Sequence, residues 1–512
     1  MDEFDVVIVG AGPVGLFLAC ELGLAGCTVL VLERDAEHGS QWRRAPLGMR
    51  GLSAASVEAF DRRGMVRPLL TATGVADGFG ENSDADEPSP PRMAGHFAGM
   101  TLDPADIDTA ALPFRLPSPI PEFMMAGLDQ VESVLSERAA ELGVRIRRGA
   151  AVSAIAQDED GVVVRAGEHE YTARWVVGCD GGRSTVRRLA DFDFVGTEPQ
   201  FTGYVALLTL ADPEKLRPGF ITLTPTGAYL QMPAAGHIGM MDFDGGAFDR
   251  TQPPTLDHLQ TVLRRVSGTD VTVSEVELAS SFTDRAKQAT TYRQGRVLLA
   301  GDAAHIHSPL GGQGLNTGLG DAMNLGWKLA ATVHGHAPDG LLDTYTGERH
   351  PIGAGVLEWS RAQVAVMRPD PHAQAIQAIV RDLLATRDGT TYVFQRISGS
   401  SLRYDLGGGH PLIGRGAPNF RLEDGTRLGD LMHDGRGVAL DFTIDRSLRD
   451  SAAGWAGRIR YAAGPARNNL GCGAVLIRPD GVVAWAGDPT PDRAAFEQAA
   501  DHWFGAMQLE HA

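Results

Sequence analysis

The chain has 512 residues, of which 43% are apolar and 21% charged, so it is too long for one ordinary domain and too apolar for a disordered protein. A net charge of −18 argues against nucleic acid and anionic membrane surfaces as partners, because both are held by clustered Lys and Arg. The four cysteines form no CxxC pair, which argues against a disulfide framework and favours a reducing, cytoplasmic compartment.

The N-terminal residues predict a strand–helix–strand unit. Residues 4–10 (FDVVIVG) form a short apolar run that ends in glycine, and residues 27–33 (CTVLVLE) repeat this pattern. The segment between them, residues 13–25, is typical of a helix. Such a unit predicts a parallel sheet with helices on its faces.

The middle of the chain changes character twice. Residues 76–91 are rich in Asp, Gly, Ser and Pro and predict a loop or an excursion toward a second domain. An amphipathic helix is expected at 129–142, and a hairpin is expected around residues 158–161. Further strands are expected at 204–210, 219–224, 228–232, 237–243 and 271–278, with one helix at 256–266. Consecutive strands without intervening helices predict an inserted antiparallel sheet.

After residue 282 the pattern returns to that of the N-terminus. A buried strand is expected at 296–300, and helices are expected at 321–333 and 341–363. Residues 404–418 are rich in Gly and Pro and predict a linker. Alternating strand and helix patterns beyond it predict a separate small α/β domain.

The first chemical signal is Gly10-Ala11-Gly12-Pro13-Val14-Gly15, a GxGxxG between a predicted strand and a predicted helix. In such a motif the first glycine permits the turn, the second lets a pyrophosphate approach the backbone, and the third lets the helix pack on the strand. Glu33, at the end of the second strand, is placed to bind ribose hydroxyls. The motif therefore predicts a site for FAD or NAD.

Two later segments place an aspartate after a strand. Residues 296–302 (RVLLAGD) lead into a glycine-rich stretch, Pro309 to Asn316, whose backbone can lie against a planar ring. Residues 176–187 (VVGCDGGRSTVR) place Asp180 in the same way. Ligands bind at this edge in doubly wound folds.

The three motifs, in this order, resemble those of the single-component FAD-dependent aromatic hydroxylases. The most specific stretch is GDAAHIHSPLGGQGLNTGLGDAMNLGWKLA, and the resemblance covers about residues 4–400. Residues 414–422 and 476–485 also resemble the thioredoxin-like appendage of the branch that hydroxylates phenols and aromatic polyketides. That appendage has no CxxC here, so thiol redox chemistry is not expected, and Cys472 is expected to be inert.

The resemblance implies an α/β fold with three parts. A doubly wound, Rossmann-like FAD-binding domain is expected at 1–75, 100–189 and 283–400. A mixed or antiparallel substrate-binding domain is expected at 76–99 and 190–282. A thioredoxin-like domain is expected at 401–512.

The resemblance also assigns cofactor contacts. For the ADP half of FAD, the ribityl chain and the flavin ring, the expected contacts are Gly10, Gly12, Pro13, Gly15, Glu33, Arg34, Asp180, Asp302, Pro309, Gly312, Gly314, Leu315 and Asn316. Arg44 and Arg50 compete for the place of an arginine near the flavin. Gln130 stands near the position of a glutamine that contacts FAD in many relatives, although Leu128 occupies that position in the alignment by motif.

The implied reaction is hydroxylation of a phenolic or polyketide-like aromatic substrate. NADPH or NADH reduces tightly but non-covalently bound FAD, and O₂ then gives a flavin hydroperoxide that delivers oxygen. Loss of the substrate's phenolic proton requires a base, for which the weak candidates in the predicted strands are His237, Tyr204, Tyr229 and, as a neighbouring polar group, Gln231. Arg50 is a further candidate. The pair His305 and His307 has no acidic partner at ligand spacing, so no metal is expected.

Three other functions remain open at this point. The same fold supports Baeyer–Villiger insertion, epoxidation or an antibiotic-inactivating hydroxylation. An NAD-dependent dehydrogenase would use GxGxxG but leaves the Gly-Asp segment unexplained. A non-enzymatic flavin-fold module is the third. A monomer or homodimer acting on a small hydrophobic aromatic molecule is expected.

Overall fold

The computed structural model describes residues 3–74, 95–112, 114–217, 219–232 and 234–507. The loop or excursion expected at 76–91 therefore lies outside the described residues.

The strands and helices follow one another along the whole chain. The strands are β1 Glu3–Val9, β2 Val29–Leu32, β3 Met49–Ser53, β4 His96–Phe97, β5 Met100–Thr101, β6 Phe123–Gly127, β7 Arg145–Arg147, β8 Val152–Gln157, β9 Val162–Ala166, β10 His169–Gly178, β11 Phe194–Thr197, β12 Thr202–Leu210, β13 Ile221–Thr224, β14 Gly227–Gln231, β15 His237–Asp242, β16 Val273–Thr283, β17 Ala286–Ala289, β18 Arg293–Gln294, β19 Val297–Leu299, β20 His305–Ile306, β21 Gly437–Asp441, β22 Ile459–Ala463, β23 Ala474–Ile477 and β24 Val483–Gly487. The helices are α1 Pro13–Leu24, α2 Ala54–Asp61, α3 Val66–Ala72, α4 Leu128–Glu141, α5 Thr185–Leu189, α6 Leu256–Ser267, α7 Gln313–Val333, α8 Thr344–Met367, α9 Pro371–Leu384, α10 Arg387–Ser398, α11 Leu428–Leu431, α12 Arg449–Ala453 and α13 Arg493–Phe504.

The largest sheet is built on five parallel strands in the order β19-β10-β1-β2-β7. Its central strands are apolar on both faces because helices cover both, as expected for a parallel sheet. The hairpin expected around residues 158–161 joins β8 and β9, and β9 pairs antiparallel with β10. The mixed α/β class with a doubly wound FAD-binding fold, predicted from the sequence, is confirmed.

Glycines let helices α1 and α7 approach closely. A Cβ on Gly318 would come within 2.5 Å of the Val14 side chain, and one on Gly326 within 2.5 Å of the Glu21 side chain. The two helices thus pack almost backbone to backbone behind the central strands. Helix α7 begins at Gln313, eight residues before the predicted start at 321.

The second sheet is antiparallel and has the strand order β13-β14-β15-β12-β16. Helix α6 covers one of its faces with Leu259, Val262 and Leu263. Residues 97–112 and helices α8 and α10 cover part of the other face. Segment 100–112, assigned to the FAD-binding domain from the sequence, therefore packs on the antiparallel sheet.

The C-terminal residues form a four-stranded sheet in the order β22-β21-β23-β24. Strands β21 and β22 are parallel, the other neighbours are antiparallel, and α13 follows the last strand. This is the strand order of a thioredoxin-like core. The segment expected to be a linker is packed against the protein: Leu412 is fully buried, and the Gly414 amide donates to the Val483 carbonyl.

In the part of the chain that the structure describes, no helix has both the length and the apolar character needed to cross a membrane.

Candidate active site

The carboxyl ends of four adjacent parallel strands carry the residues singled out by the sequence. Glu33 follows β2, Gly10 follows β1, Asp180 follows β10 and Asp302 follows β19. Parallel strands present their carboxyl ends at one edge of a sheet, so these four positions lie side by side. That edge is where open α/β sheets bind ligands.

The three glycines of the first motif differ in the space that surrounds them. Gly10 has φ +109°, and a Cβ there would lie 2.5 Å from the Cys179 carbonyl oxygen. A Cβ on Gly15 would lie 2.0 Å from the Gly10 oxygen. Around Gly12, by contrast, no described residue other than its chain neighbours lies within 4 Å of such a Cβ. The fold therefore requires Gly10 and Gly15, whereas Gly12 keeps space open outside the N-terminus of α1.

The N-terminus of α1 is suited to an anion. Gly12 is its N-cap and gives no side-chain cap, Pro13 stands in the first turn, and that turn has no acidic residue. Its free N–H groups and the helix dipole therefore point at the space beside Gly12.

Glu33 is buried and organises the motif. Its two carboxylate oxygens accept hydrogen bonds from the Ala11 amide at 2.7 Å and from the Asp35 amide at 2.9 Å. Each oxygen retains a second lone pair for a ribose hydroxyl. Arg34 beside it is 72% exposed and pairs with Asp35 at 3.5 Å. The structure gives Arg34 no direct connection to the glycine turn.

Asp180 has one oxygen engaged and one free. Its Oδ2 accepts from the amides of Thr185 at 2.6 Å and Val186 at 3.1 Å, at the start of α5. Its Oδ1 is buried and has no hydrogen-bond partner among the residues that the structure describes. An unpaired buried carboxylate oxygen is costly, so this atom indicates a donor supplied from outside the chain.

The second glycine-rich turn leads into α7. Gly311 and Gly312 have φ of +82° and +64°, and apart from its chain neighbours no residue in the described ranges lies within 4 Å of a Cβ on Gly312. Helix α7 then starts without a side-chain cap or an acidic first-turn residue. Gly314 lies beside Asp302, whose Oδ1 would be 3.6 Å from a Cβ there. Asp302 itself is exposed, as is Pro309.

Asn316 is used as a clamp. Its Oδ1 accepts from the Ser53 amide at 2.8 Å and the Ser56 hydroxyl at 2.7 Å. Its Nδ2 donates to the carbonyls of Gly51 and Gly312, both at 3.0 Å. Asn316 therefore holds β3 and α2 against the glycine turn. Leu315 beside it packs against the main core.

Of the two competing arginines, Arg50 faces Asp302. Burial of the guanidinium lowers the pKa of Arg50, and the Asp302 carboxylate opposes this change. The residue as a whole remains exposed to solvent. Burial, and secondly the Arg50 charge, lowers the pKa of His237. The Arg50 charge therefore acts on both Asp302 and His237, while its guanidinium donates to the carbonyls of Leu47 and Met49. Arg44 is exposed and lies against Gly39 instead.

Gln130 has a local structural role. Its Oε1 accepts from the Gly127 amide at 2.8 Å and its Nε2 donates to the Ala72 carbonyl at 2.7 Å, so it caps α4 and ties it to α3. In the same region Arg43 donates to both oxygens of the buried Glu132 at 2.7 Å. The pair fixes the segment between β2 and β3 on α4.

Tyr204 and Tyr229 are not brought to this site. Both belong to the cluster under α6, on the covered face of the antiparallel sheet. The Tyr204 hydroxyl is 2.8 Å from His258 Nε2, and the Tyr229 hydroxyl accepts from the Arg217 amide at 2.8 Å. Gln231 donates to the Arg217 carbonyl. Of the strand candidates, His237 is the one whose pKa the Arg50 charge lowers.

The histidine pair does not form a ligand set. His305 Nε2 lies 2.8 Å from the buried Asp321, whereas His307 Nδ1 lies 2.7 Å from the Ser308 carbonyl oxygen. Within the described ranges, no three His, Cys, Asp or Glu side chains converge as a metal centre requires.

Two residues that support the site were missed from the sequence. Asp321 is fully buried, accepts from the Gly301 amide at 2.9 Å and receives Arg349 Nε at 2.7 Å. The Arg349 guanidinium lowers the pKa of Asp321 against the opposing effect of burial. A usable signal was the stripe Asp321, Asn324 and Lys328, which places three polar residues on one face of an otherwise apolar helix.

These features fit FAD. The open space at Gly12, the unpaired Asp180 oxygen and the exposed Asp302 carboxylate lie along one sheet edge, where a dinucleotide would extend. The open turn at Gly312 gives its ring a flat backbone surface.

Family comparison decides the identity of this site. A model of the FAD binding domain matches residues 3–360, and one of the C-terminal domain of aromatic-ring hydroxylases matches residues 410–507. The chain belongs to the FAD-dependent aromatic-ring hydroxylases. It is an FAD-dependent monooxygenase, and enzymes of this class use NAD(P)H and O₂.

Individual relatives match over nearly the whole chain. A monooxygenase of Claviceps purpurea is 45% identical over 98% of this chain and 97% of its own length. A rifampicin monooxygenase of Streptomyces venezuelae is 40% identical over 98% and 99%. The structure of the anhydrotetracycline hydroxylase OxyS from Streptomyces rimosus aligns with TM-score 0.85 and 37% identity, over 99% of this chain and 100% of that one.

Proposed function

We propose that this aromatic-ring hydroxylase acts on a planar, hydrophobic phenol with several rings, of the aromatic polyketide kind. The observation that carries the proposal is the position of Leu310. This residue belongs to the glycine turn at the flavin site, yet it packs in the apolar cluster on the face of the antiparallel sheet opposite α6.

The apolar cluster is rich in aromatic side chains. Phe97 and Trp359 have ring centroids 4.7 Å apart, and Phe201 lies 5.4 Å from Phe243 and 6.1 Å from Phe282. Such rings favour flat aromatic ligands through offset or edge-to-face contacts. A substrate that reaches from this cluster to the glycine turn would be large and apolar.

His237 is the best-placed proton acceptor. It is 5% exposed, and its lowered pKa leaves the imidazole neutral near pH 7. A neutral imidazole can accept the proton of a phenol, and the Arg50 charge beside it favours the phenolate that results. Loss of this proton makes the ring more electron-rich and more reactive.

Bound FAD supplies the redox chemistry and the activated oxygen atom. The chain contributes position and electrostatics: the free N–H groups at the start of α7 favour negative charge on a reduced ring, and Asn316 fixes the turn that would carry it. The apolar sheet face keeps water from the substrate side.

The names of the relatives support an aromatic polyketide substrate, since two are monooxygenases of anhydrotetracycline and rifampicin. We further propose a cytoplasmic enzyme, in line with the four free cysteines. We also propose that the protein binds no nucleic acid and that it is a monomer or a homodimer.

The test is a panel of phenols with one to four fused rings, scored by NADPH oxidation and product mass. We expect the polycyclic phenols to stimulate NADPH oxidation and to gain one oxygen atom. Leu310→Gln should raise KM for them about tenfold, whereas Leu256→Gln, on the exposed side of α6, should not. Stimulation only by monocyclic phenols would reject the substrate class, and a lactone product would indicate Baeyer–Villiger insertion.

A further inference from the structure

One tight turn of the C-terminal domain is buried in the FAD-binding part of the chain. Residues 478–481 (Arg-Pro-Asp-Gly), here called the docking turn, join β23 to β24. Gly481 has φ +79° and its amide donates to the Arg478 carbonyl at 2.8 Å. Arg478 is fully buried. Because a buried charge is costly unless it is paired, the charged side chains of this turn require partners in the FAD-binding part of the chain.

The docking turn lies against α7, α8 and the two arginines that follow α2. Arg478 donates to the two carboxylate oxygens of Glu348 at 2.8 and 2.7 Å. Asp480 accepts from Asn324 at 3.1 Å, and the Pro479 carbonyl accepts from Arg63 at 2.8 Å. A Cβ on Gly481 would lie 2.1 Å from the Arg62 guanidinium. The turn thus contacts α2's end, α7 and α8 at once.

The contact with α8 falls beside a residue that supports the flavin site. Glu348 binds the docking turn, and the next residue, Arg349, donates to Asp321 at 2.7 Å and to the Thr317 carbonyl at 2.8 Å. Tyr404 joins the two guanidinium groups. Its hydroxyl accepts from Arg349 at 2.8 Å, and its ring centroid lies 5.7 Å from the Arg478 guanidinium.

The last connection reaches the backbone that carries Asp302. Asp321 accepts a hydrogen bond from the Gly301 amide at 2.9 Å. Gly301 has φ +62°, a backbone conformation that residues other than glycine rarely adopt. The orientation of Asp302 therefore depends on Asp321, and Asp321 is held by Arg349. The side chains that link the docking turn to Gly301 are buried, whereas Asp302 itself is exposed to the cofactor side.

We propose that the docking turn positions the flavin-binding turn at Gly301 and Asp302, with Arg478 as a positioning residue that acts through Glu348, Arg349 and Asp321. Ion pairs buried this deeply stabilise a fold no better than apolar contacts of similar volume, whereas their hydrogen bonds fix one geometry. The C-terminal domain thus contributes to cofactor binding without touching the cofactor. This inference rests on FAD binding at Asp302 and not on the identity of the substrate.

The test measures the Kd for FAD in full-length protein, at a temperature at which every variant is folded by circular dichroism. Arg478→Gln should raise Kd at least tenfold. Tyr404→Phe, which removes one hydroxyl and buries no charge, should raise it about threefold and serves if Arg478→Gln does not fold. In an Arg349→Gln background, Arg478→Gln should add less than a twofold change, because both act on the same turn.

The matched control is Arg427→Gln. Arg427 also joins the C-terminal domain to the FAD-binding part, through Asp61 at 3.0 Å, but it has no connection to Asp321. Its Kd should match that of the unsubstituted protein. Hydrogen exchange of the apoprotein should show faster exchange around Gly301 in Arg478→Gln and Tyr404→Phe only. Unchanged Kd and exchange in Tyr404→Phe, fully additive effects with Arg349→Gln, or equal weakening by Arg427→Gln would overturn the proposal.

Discussion

The side-chain oxygen of Asn316 accepts a hydrogen bond from the amide of Ser53 at 2.8 Å, although the two residues are 263 positions apart. The bond joins the start of α7 to the end of β3, so it holds the glycine turn and β3 together. The Ser56 hydroxyl adds a second bond to the same oxygen at 2.7 Å.

Replacing Asn316 with Ala should therefore loosen both sides of the cleft. Four hydrogen bonds are lost and the Ser53 amide is left unpaired, which costs on the order of 1–3 kcal/mol. We expect the Kd for FAD to rise about tenfold, as measured by quenching of flavin fluorescence. Asn468→Ala, at an exposed turn, is the control and should leave Kd unchanged. Equal FAD affinity in the two variants would contradict the clamp.

Gly12→Ala should separate cofactor binding from folding. No packed neighbour in the described part of the chain opposes a Cβ at Gly12, so the free energy of unfolding of the apoprotein should stay within about 0.5 kcal/mol of the original, while the Kd for FAD rises at least tenfold. Gly15→Ala should instead destabilise the apoprotein, because its Cβ meets the Gly10 carbonyl. Gly355→Ala, in open space inside α8, should leave Kd unchanged and stabilise the apoprotein slightly, because Ala has the higher helix propensity. Normal FAD binding by Gly12→Ala would show that the pyrophosphate does not bind at this turn.

Asp302→Ala should weaken FAD retention with little effect on stability. The carboxylate is exposed and makes no hydrogen bond within the described part of the protein, so its removal leaves the apoprotein fold intact. After gel filtration, the variant should carry well under half of the flavin of the original, judged by absorbance at 450 nm. Asp343→Ala, another exposed carboxylate, provides the comparison. A variant that retains its full flavin content would show that Asp302 does not bind FAD.

The pH dependence of turnover should report His237. Burial and the Arg50 charge lower its pKa below 6.5, so the neutral base is present above that value and is lost as pH falls. Turnover should fall on the acid side, and Arg50→Gln should move this limb to higher pH because a charge that lowers the pKa of His237 is removed. His237→Gln should remove the limb and lower kcat at least tenfold, whereas Arg381→Gln on α9 should change neither. An acid limb that persists in His237→Gln would exclude this base.

Lys328 should make stability increase with pH. Burial, and secondly Arg478, lowers its pKa from 10.5 to about 7. Between those values the unfolded chain holds a proton that the folded one has lost, so the free energy of unfolding rises by at most about 1.4 kcal/mol per pH unit. Urea unfolding at pH 7 to 9.5 should show this rise, and Lys328→Met should reduce it. Lys215→Met, at the surface, should keep it; an equal rise in both variants would contradict the assignment.

Much of the cofactor site was predictable because its chemistry is local in sequence. Gly10, Gly15 and Glu33 lie in one strand–helix–strand unit, and a strand that ends in Asp places Asp180 or Asp302 at the ligand edge. The early start of α7 was not predictable. Gly314, Gly318 and Gly320 lower helix propensity there, and close packing against α1 and Arg349 overrides it.

Other features depend on contacts between distant segments. Strand β12 is apolar on both faces, so its sequence does not reveal that Tyr204 faces α6 and not the cleft. The Asp321–Arg349 pair joins residues 28 positions apart on different helices. Residues 404–418 have the composition of a linker, yet Tyr404 is held by Arg349 in the interior.

The most direct test of the central claim is a turnover experiment under ¹⁸O₂ with the purified yellow protein, NADPH and a polycyclic phenol that stimulates NADPH oxidation. A monooxygenase at this sheet edge predicts a hydroxylated product that carries one ¹⁸O atom, with FAD released on denaturation. A product without ¹⁸O, or a protein that binds no FAD, would contradict the account.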